Sequence, residues 1–219
     1  MGEITFSQCG EDIIINFLFK DMLNINDVTY LDIGANDPAK YNNTFYFYKS
    51  GFRGVSIDAN SYFKKPFKKE RPGDKFISAG IGPVDGKANF YVIDPHTLST
   101  FSEKEAKKYT STGLHKIVEI QEKEILSIGN ILKKYFKKKY PNFLSIDVEG
   151  YDLEIIKSID FTKWRPAVIC AETLTYTTDS SEKKIKNILS LLKKNNYRIY
   201  ADTYINTVFV DNTVWENRK

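Results

Sequence analysis

Short apolar runs and amphipathic stretches alternate along this chain, a pattern typical of α/β proteins. Continuous apolar runs bounded by polar residues or glycine predict strands that are buried on both faces. Such runs lie at residues 28–34, 142–148 and 167–171, and further strands are predicted at 54–58, 76–81, 88–93, 117–121, 198–201 and 207–210. Apolar side chains three or four positions apart predict helices at residues 11–23, 44–49, 103–109, 126–135 and 151–159, and a last helix capped by Asp179 with Glu182.

The alternation predicts a doubly wound α/β sheet, and the length is that of a single domain over residues 1–219. We expect a helical N-terminal segment over about 1–26 and a loop-and-helix insertion over about 94–115. No internal repeat or linker divides the chain.

Two local signals refine this picture. Asp85-Gly86 is a tight-turn signal, so we expect the strands at 76–81 and 88–93 to form a hairpin. Ser102 with Glu105 is a capping box, which places the start of a helix directly after Ser102.

Composition narrows the class of protein. Hydrophobic residues make up 42% and charged residues 27%, as in an ordinary soluble protein, and no apolar run is long enough to span a bilayer. The N-terminus has no basic region before an apolar core, which argues against a secretory signal. Cys9 and Cys170 are the only cysteines, too few for a disulfide framework or a zinc set. We therefore expect a cytoplasmic location.

The net charge of +4 is mild, and the lysine clusters that produce it are scattered. Solvated helix faces explain them better than a nucleic-acid or membrane patch, and no nucleic-acid-binding motif accompanies them. We expect no nucleic-acid partner.

The most informative run is Tyr30–Asp37, in which a predicted strand ends at Asp32, Gly34 and Asn36. Ligands of open parallel sheets bind beyond the carboxyl ends of strands, and a glycine there lets backbone approach the ligand. The turn lacks two glycines of the dinucleotide fingerprint, so S-adenosylmethionine fits better than NAD or ATP. Asp32 either orders the turn or reaches the cofactor's amino group through water. Alternatively, Asp32 and Asn36 only satisfy a turn and cap a helix.

Asp58 strengthens the case for a cofactor. It ends the second predicted strand, 24 residues after Gly34. A carboxylate about 20 residues beyond the glycine turn is the expected partner of ribose hydroxyls, because it accepts two hydrogen bonds. The alternative is an ordinary turn aspartate at a strand end.

A second acidic group lies at Asp147 and Glu149, after another buried strand. If strand geometry continues that far, the two side chains share a face and raise each other's pKa, which suits one of them to act as a general base. Glu172, which ends the next strand, reaches the same crevice. We expect no metal, although Asp147 and Glu172 offer oxygen ligands to a divalent cation. Alternatively, these acids complement a helix dipole.

Taken together, Leu31–Asn36 and Ser145–Gly150 resemble the FkbM family of S-adenosylmethionine-dependent methyltransferases. The resemblance implies a class I methyltransferase (Rossmann-like) fold, with a doubly wound, mostly parallel sheet and a reversed C-terminal strand. It also implies O-methylation, often of sugars in glycans, polysaccharides or glycosylated natural products. Many members carry a further glycine after the first motif, where this chain has Asp37–Tyr41. The similarity continues in Ser7–Asp12, Asn43-Thr44, Gly54–Asn60 and Leu98–Ser102.

The resemblance also implies further cofactor contacts. Gln8 approaches the cofactor from the N-terminal segment, unless it only makes a capping contact there, and Asn43 and Thr44 bind its carboxylate or amino group. Ala59 belongs with the cofactor-binding residues next to Asp58. Gly80, between two small or apolar neighbours, leaves room for a flat adenine ring.

His96 is a third candidate base after Glu149 and Asp147, because its pKa ordinarily lies near neutrality and its loop can fold over the crevice. A lone loop histidine is otherwise a surface residue.

These observations predict an S-adenosylmethionine-dependent O-methyltransferase that acts on a sugar hydroxyl. The expected partner is a sugar or glycan acceptor, and a homo-oligomer is compatible with the sequence. Three alternatives stay open: a methyltransferase of nucleic acid or protein, a non-catalytic carbohydrate- or protein-binding module that retains the fold, and an NAD-dependent oxidoreductase.

Overall fold

Strands and helices alternate in the computed structural model, which describes residues 4–137, 139–175, 177 and 181–218. The strands are β1 (Thr29–Ile33), β2 (Arg53–Ile57), β3 (Lys75–Ile77), β4 (Gly80–Gly82), β5 (Gly86–Asp94), β6 (Lys116–Ser127), β7 (Phe143–Ile146), β8 (Val168–Glu172), β9 (Tyr197–Asp202) and β10 (Asn206–Asp211). The α-helices are α1 (Glu11–Phe17), α2 (Phe45–Lys49), α3 (Lys64–Glu70), α4 (Glu103–Thr110), α5 (Ile128–Tyr135), α6 (Asp152–Lys157), α7 (Lys186–Lys194) and α8 (Asn212–Glu216).

The larger sheet of the described chain has seven strands in the order β3-β2-β1-β7-β8-β10-β9. β1 lies parallel to both β2 and β7, and the pairs β2–β3 and β7–β8 are also parallel. β10 pairs antiparallel with β8 and β9. The predicted α/β fold with a mostly parallel central sheet is confirmed. The strand order reverses between β1 and β7, so a crevice opens beyond their carboxyl ends.

Both faces of this sheet are covered, which explains why its strands are continuous apolar runs. Leu31 and Ile33 of β1 pack on one side with α5, α6 and α7. Tyr30 packs on the other side with Phe47 of α2 and with α1. Because successive side chains of a strand alternate between the faces, β1, β7, β8 and β10 contribute to both cores.

The predicted strand at 76–81 is divided in the structure, and the predicted hairpin is wrong. β3 pairs with β2 in the larger sheet, whereas β4 pairs with β6 in a second sheet of order β4-β6-β5. β5 pairs antiparallel with β6. Asp85 joins the turn before β5 to the end of β6, because its Oδ1 accepts a hydrogen bond of 2.6 Å from the Ser127 N–H.

Two further strand ends differ from the predicted ones: β6 continues to Ser127 and β7 ends at Ile146. The helix predicted at 126–135 therefore begins at Ile128. The cap at Ser102 is confirmed, since its Oγ accepts from the Glu105 N–H at 3.2 Å.

At the N-terminal end, the helix predicted at 11–23 is α1 followed by a π-helical turn, Leu18–Met22. Asp179, the predicted cap of the helix that contains Leu192, lies outside the described residues, and that helix begins only at Lys186, beyond Glu182. Within the described part of the chain, no helix has both the length and the apolar character that crossing a membrane requires.

Arg71, directly after α3, is a buried charge with a buried partner. The residue is 1% exposed, and its Nη2 lies 2.6 Å from Asp74 Oδ2. Asp74 also accepts from the Tyr30 hydroxyl at 2.8 Å and from the Gly54 N–H at 2.9 Å. An ion pair removed from water is tolerated only when its remaining donors and acceptors are satisfied, and β1 and β2 supply those partners for Asp74.

The other donors of Arg71 hold the segment between β1 and α2. Nη1 donates to the Pro38 carbonyl at 3.3 Å and to Asn42 Oδ1 at 3.0 Å, and Nη2 donates to Thr44 Oγ1 at 2.9 Å. Thr44 Oγ1 lies in turn 2.6 Å from Asp32 Oδ2, to which it donates. The guanidinium therefore fixes the loop that follows the first sequence motif.

Replacing Arg71 by Met should lower the free energy of unfolding by about 3–5 kcal/mol, because it leaves Asp74 buried without its cation. Urea unfolding followed by circular dichroism measures this loss. Lys69→Met, which breaks an exposed ion pair of 3.3 Å with Glu70, is the control and should cost less than about 1 kcal/mol. Equal losses in the two variants would contradict the central place of Arg71.

Candidate active site

One cleft lies beyond the carboxyl ends of β1, β2 and β7, where the strand order reverses. Its volume is about 910 Å³, including the space open to solvent at its mouth. The predicted site residues that line it are Gln8, Gly34, Asn36, Asp58, Ala59, Gly80, His96, Asp147 and Glu149.

Gly34 allows the loops after β1 and β7 to touch. Its φ of 80° is in the left-handed region, and a Cβ atom at this position would overlap the Asp147 carbonyl oxygen. The Gly34 N–H donates to the Ile57 carbonyl at 2.9 Å, and the Asp147 N–H donates to the Ile33 carbonyl at 3.0 Å. These bonds extend the pairing of the sheet beyond the ends of β1, β2 and β7. The loops after these three strands therefore form one continuous floor of the cleft.

The segment in which many FkbM members have a further glycine is a turn held by side chains. Asp37 Oδ1 accepts from the N–H groups of Ala39 and Lys40 at 2.9 and 2.8 Å. Asn42 Nδ2 donates to the Asp37 carbonyl at 3.1 Å. Tyr41, whose φ is 55°, is 59% exposed and lines the cleft. The turn therefore presents an aromatic ring to the cleft.

Asp58 orders the wall that follows β2. Its Oδ2 accepts from the Asn36 N–H at 2.9 Å, and its Oδ1 accepts from the Asn60 N–H at 2.7 Å. Burial raises the pKa of Asp58 to about 6. Each carboxylate oxygen still has a lone pair available, so the pair of oxygens can accept two hydroxyl groups.

Asp147 and Glu149 both line the cleft, but strand alternation does not place them there. β7 ends at Ile146, and Glu149 has a left-handed φ of 50°. The expectation that continued strand geometry puts the two carboxylates on one face is therefore wrong. The Glu149 Oε2 accepts from the Tyr109 hydroxyl at 3.0 Å, and its carbonyl accepts from Thr100 Oγ1 at 3.0 Å.

Several carboxyl groups share this buried acidic environment. Burial raises the pKa of Asp147 to about 7, and repulsion by Asp152 adds to the shift. Burial and repulsion by Asp147 raise the pKa of Glu149 well above its usual range, although the Tyr109 hydrogen bond opposes this. Burial and the same neighbours also raise the pKa of Glu172. Near neutral pH, such groups can take up a proton or attract a cation.

Four predicted residues are not among the lining residues of the cleft. Asp32 is 3% exposed and Thr44 is fully buried, and both belong to the network of Arg71. Burial raises the pKa of Asp32, against the effect of that cation. Asn43 Nδ2 contacts Ser145 Oγ at 3.3 Å behind the floor.

Glu172, at the end of β8, is the fourth of these residues, although it lies close enough to Asp147 and Glu149 to be repelled by them. Within the described residues, no group of three or more His, Cys, Asp and Glu side chains could hold a metal ion.

His96 lies at the exposed rim, where its ring packs 5.2 Å from that of Tyr62. Gly80 lies beneath an aromatic pair that the sequence reasoning missed: the Phe90 and Phe101 ring centroids are 4.8 Å apart. A Cβ atom on Gly80 would approach Phe101 to 2.5 Å, so glycine is needed where that ring enters the cleft. Phe101 is part of Leu98–Ser102, one of the stretches that resemble the FkbM family. That resemblance could have identified Phe101 as a site residue.

The family model described as Methyltransferase FkbM domain matches residues 32–199. The matched segment is more than half of the chain and contains both Asp32–Asn36 and Ser145–Gly150. Gln8 and β10 lie outside it, so the match covers less of the chain than the motif resemblance does. No curated protein matches this chain. The predicted resemblance to the FkbM family is confirmed.

The raised pKa of Asp147 predicts how stability depends on pH. A carboxyl whose pKa is higher in the folded state than in the unfolded state stabilises the fold while it is protonated. This stabilisation is lost as the pH rises from about 4 through about 7. Asp147→Asn should remove that loss and raise the free energy of unfolding at pH 8 by about 1–4 kcal/mol.

Chemical unfolding at several pH values measures this difference. Asp160→Asn should instead lower the free energy of unfolding at pH 8, because hydrogen bonds from Lys163 and Thr162 lower the pKa of Asp160 to about 2. If Asp147→Asn follows the pH dependence of the wild type, Asp147 does not carry the raised pKa.

Proposed function

We propose that this chain, which belongs to the FkbM methyltransferase family, transfers a methyl group from S-adenosylmethionine to a sugar hydroxyl. The observation that carries the proposal is one cleft that joins Asp58 after β2 to Asp147 and Glu149 after β7. Asp58 is suited to binding the hydroxyl groups of a ribose. Asp147 and Glu149 are suited to attracting a cation and to accepting a proton.

The residues present fit S-adenosylmethionine. Asp58 has lone pairs left for the ribose hydroxyls. Phe101 and Gly80 form an apolar wall for a flat ring, and Asp147 and Glu149 lie in the acidic part of the same cleft. When bound, the cofactor supplies an electrophilic methyl carbon on a positively charged sulfur. Carboxylates in a partly buried site attract such a cation more strongly than they would in water.

The rest of the lining favours an uncharged acceptor. Tyr41 and Tyr151 expose aromatic faces at the cleft, on which the C–H face of a sugar ring can pack. Thr97 and Ser99 add hydroxyl groups. Among the described lining residues there is no lysine or arginine. Phosphate recognition depends on such cations, so this supports a sugar over a nucleic acid.

Glu149 is the proposed general base. The acceptor hydroxyl would lose its proton as its oxygen bonds to the methyl carbon and the bond from that carbon to sulfur breaks, leaving a neutral thioether. A carboxylate with a raised pKa holds that proton well near neutral pH. Asp147 lies beside it and raises the pKa of Glu149 by repulsion, whereas His96 is at the rim. The chain thus aligns acceptor and donor and removes one proton.

Asp58→Asn should weaken S-adenosylmethionine binding by about 10–100-fold, because it removes a charged acceptor of hydroxyl groups. Calorimetry with S-adenosylmethionine, S-adenosylhomocysteine, NAD and ATP measures the effect and the choice of cofactor. Asp160→Asn, on an exposed loop, should bind as the wild type does. Binding of NAD without binding of S-adenosylhomocysteine would refute the proposed cofactor.

Glu149→Gln should reduce the rate of methyl transfer to a neutral sugar by about 100-fold or more, because the amide cannot take the proton. Transfer of labelled methyl from S-adenosylmethionine to a panel of methyl glycosides, an RNA and a protein measures rate and acceptor class. Glu119→Gln, on the exposed part of β6, is the control. Unchanged turnover in Glu149→Gln would remove Glu149 from catalysis, and transfer to RNA alone would exclude the sugar.

A further inference from the structure

The connection between β5 and β6 holds Glu149 at two points. The Tyr109 hydroxyl of α4 donates to Glu149 Oε2 at 3.0 Å, and Thr100 Oγ1 donates to the Glu149 carbonyl at 3.0 Å. Glu149 adopts a left-handed φ of 50°, which costs a non-glycine residue free energy unless its surroundings hold it. The side chain and the backbone of the proposed base are thus both fixed from outside its own loop.

Tyr109 is itself held rigidly. It is 4% exposed and belongs to a small apolar cluster with Ile93, Leu98 and Ala106. Ser102 caps the helix that carries it. Burial and the nearby Glu149 raise the pKa of the Tyr109 phenol, so it remains a proton donor over the whole physiological range.

We propose that Tyr109 is a positioning residue for Glu149: its phenol occupies Oε2 and leaves the other carboxylate oxygen for the proton of the acceptor. This assignment rests on the proposed function, in which Glu149 is the base. Tyr109 acts through Glu149 and takes no proton in the reaction. The family motif that contains Glu149 says nothing of Tyr109, because Tyr109 lies on α4 in the connection between β5 and β6, whereas Glu149 lies in the loop after β7.

Among the described residues, the charged groups that raise the pKa of Glu149 by repulsion are acidic. Asp147 comes from the end of β7, Asp152 from α6 and Glu105 from α4, and Glu172 at the end of β8 repels it as well. Burial and these acids raise the pKa of Glu149, and the hydrogen bond from Tyr109 lowers it. Removing the phenol hydroxyl therefore raises that pKa further, because the lost bond favours the ionised form.

The test follows S-adenosylmethionine binding by calorimetry from about pH 5.5 to about pH 9. Ionisation of the cleft strengthens binding of the sulfonium cation, so the affinity rises through a midpoint pH. Tyr109→Phe should move this midpoint up by about 0.5–1 pH unit, the size expected when a single charge-assisted hydrogen bond is lost. S-adenosylhomocysteine, whose sulfur is neutral, should show a weaker pH dependence.

Tyr91→Phe is the matched control. Tyr91 packs against the same apolar cluster as Tyr109, so this variant makes the same chemical change without touching Glu149. Its midpoint should equal that of the wild type. In a Glu149→Gln background, Tyr109→Phe should cause no further shift.

Site-specific replacement of Tyr109 by 3-fluorotyrosine keeps the size of the ring and makes the phenol a stronger donor, so the midpoint should move down. This variant serves if Tyr109→Phe does not fold. Equal midpoints in the wild type and in the folded Tyr109 variants, or the same shift in the Glu149→Gln background, would overturn the assignment. A wild type that binds neither nucleoside would refute the proposed function itself, and the assignment with it.

Discussion

The fold depends on one buried cation. Arg71 is 1% exposed, and its hydrogen-bond partners come from the segment before α2 and from the turn after α3, while its guanidinium carbon lies 5.5 Å from the centre of the Tyr30 ring in β1. A buried guanidinium without those partners would cost several kcal/mol, so the chain must bring them together when it folds. The same contacts fix Asn42 and Thr44, and through Thr44 they hold Asp32 at the end of β1. The loop that forms the cleft floor is thereby set from behind.

The cleft shows the opposite arrangement of charge. Asp147 and Glu149 are partly buried side by side, with further acids around them and no lysine or arginine among the described lining residues. Such a site costs stability, because each ionised carboxylate is poorly solvated and repelled by its neighbours. Such unfavourable repulsion between carboxylates is expected at a site where a bound ligand supplies the opposite charge. A cationic methyl donor would supply the missing positive charge.

The two sheets have different tasks around this cleft. The larger sheet provides the floor, through Gly34 and the backbone bonds that join the loops after β1, β2 and β7. The smaller sheet and its β5–β6 connection bring Phe101 over Gly80, and Tyr109 and Thr100 onto Glu149. The break between β3 and β4 makes this possible, because it sends the chain from one sheet to the other at the edge of the cleft.

The sequence by itself determined the α/β class, the buried strands of the parallel sheet and the family. These follow from apolar periodicity and from two short motifs, which are local properties of the chain. It also predicted Asp58, Asp147 and Glu149 as site residues, and all three line the cleft. It did not separate Asp32 from Asp58, although both are aspartates at or near the end of a buried strand. Only the tertiary structure decided that Asp32 joins a buried network whereas Asp58 lines the cleft, because burial and charge partners depend on residues distant in sequence, above all Arg71. The contact of Tyr109 with Glu149 and the pairing of β5 with β6 could not be predicted from the sequence for the same reason, because each joins residues that are distant along the chain.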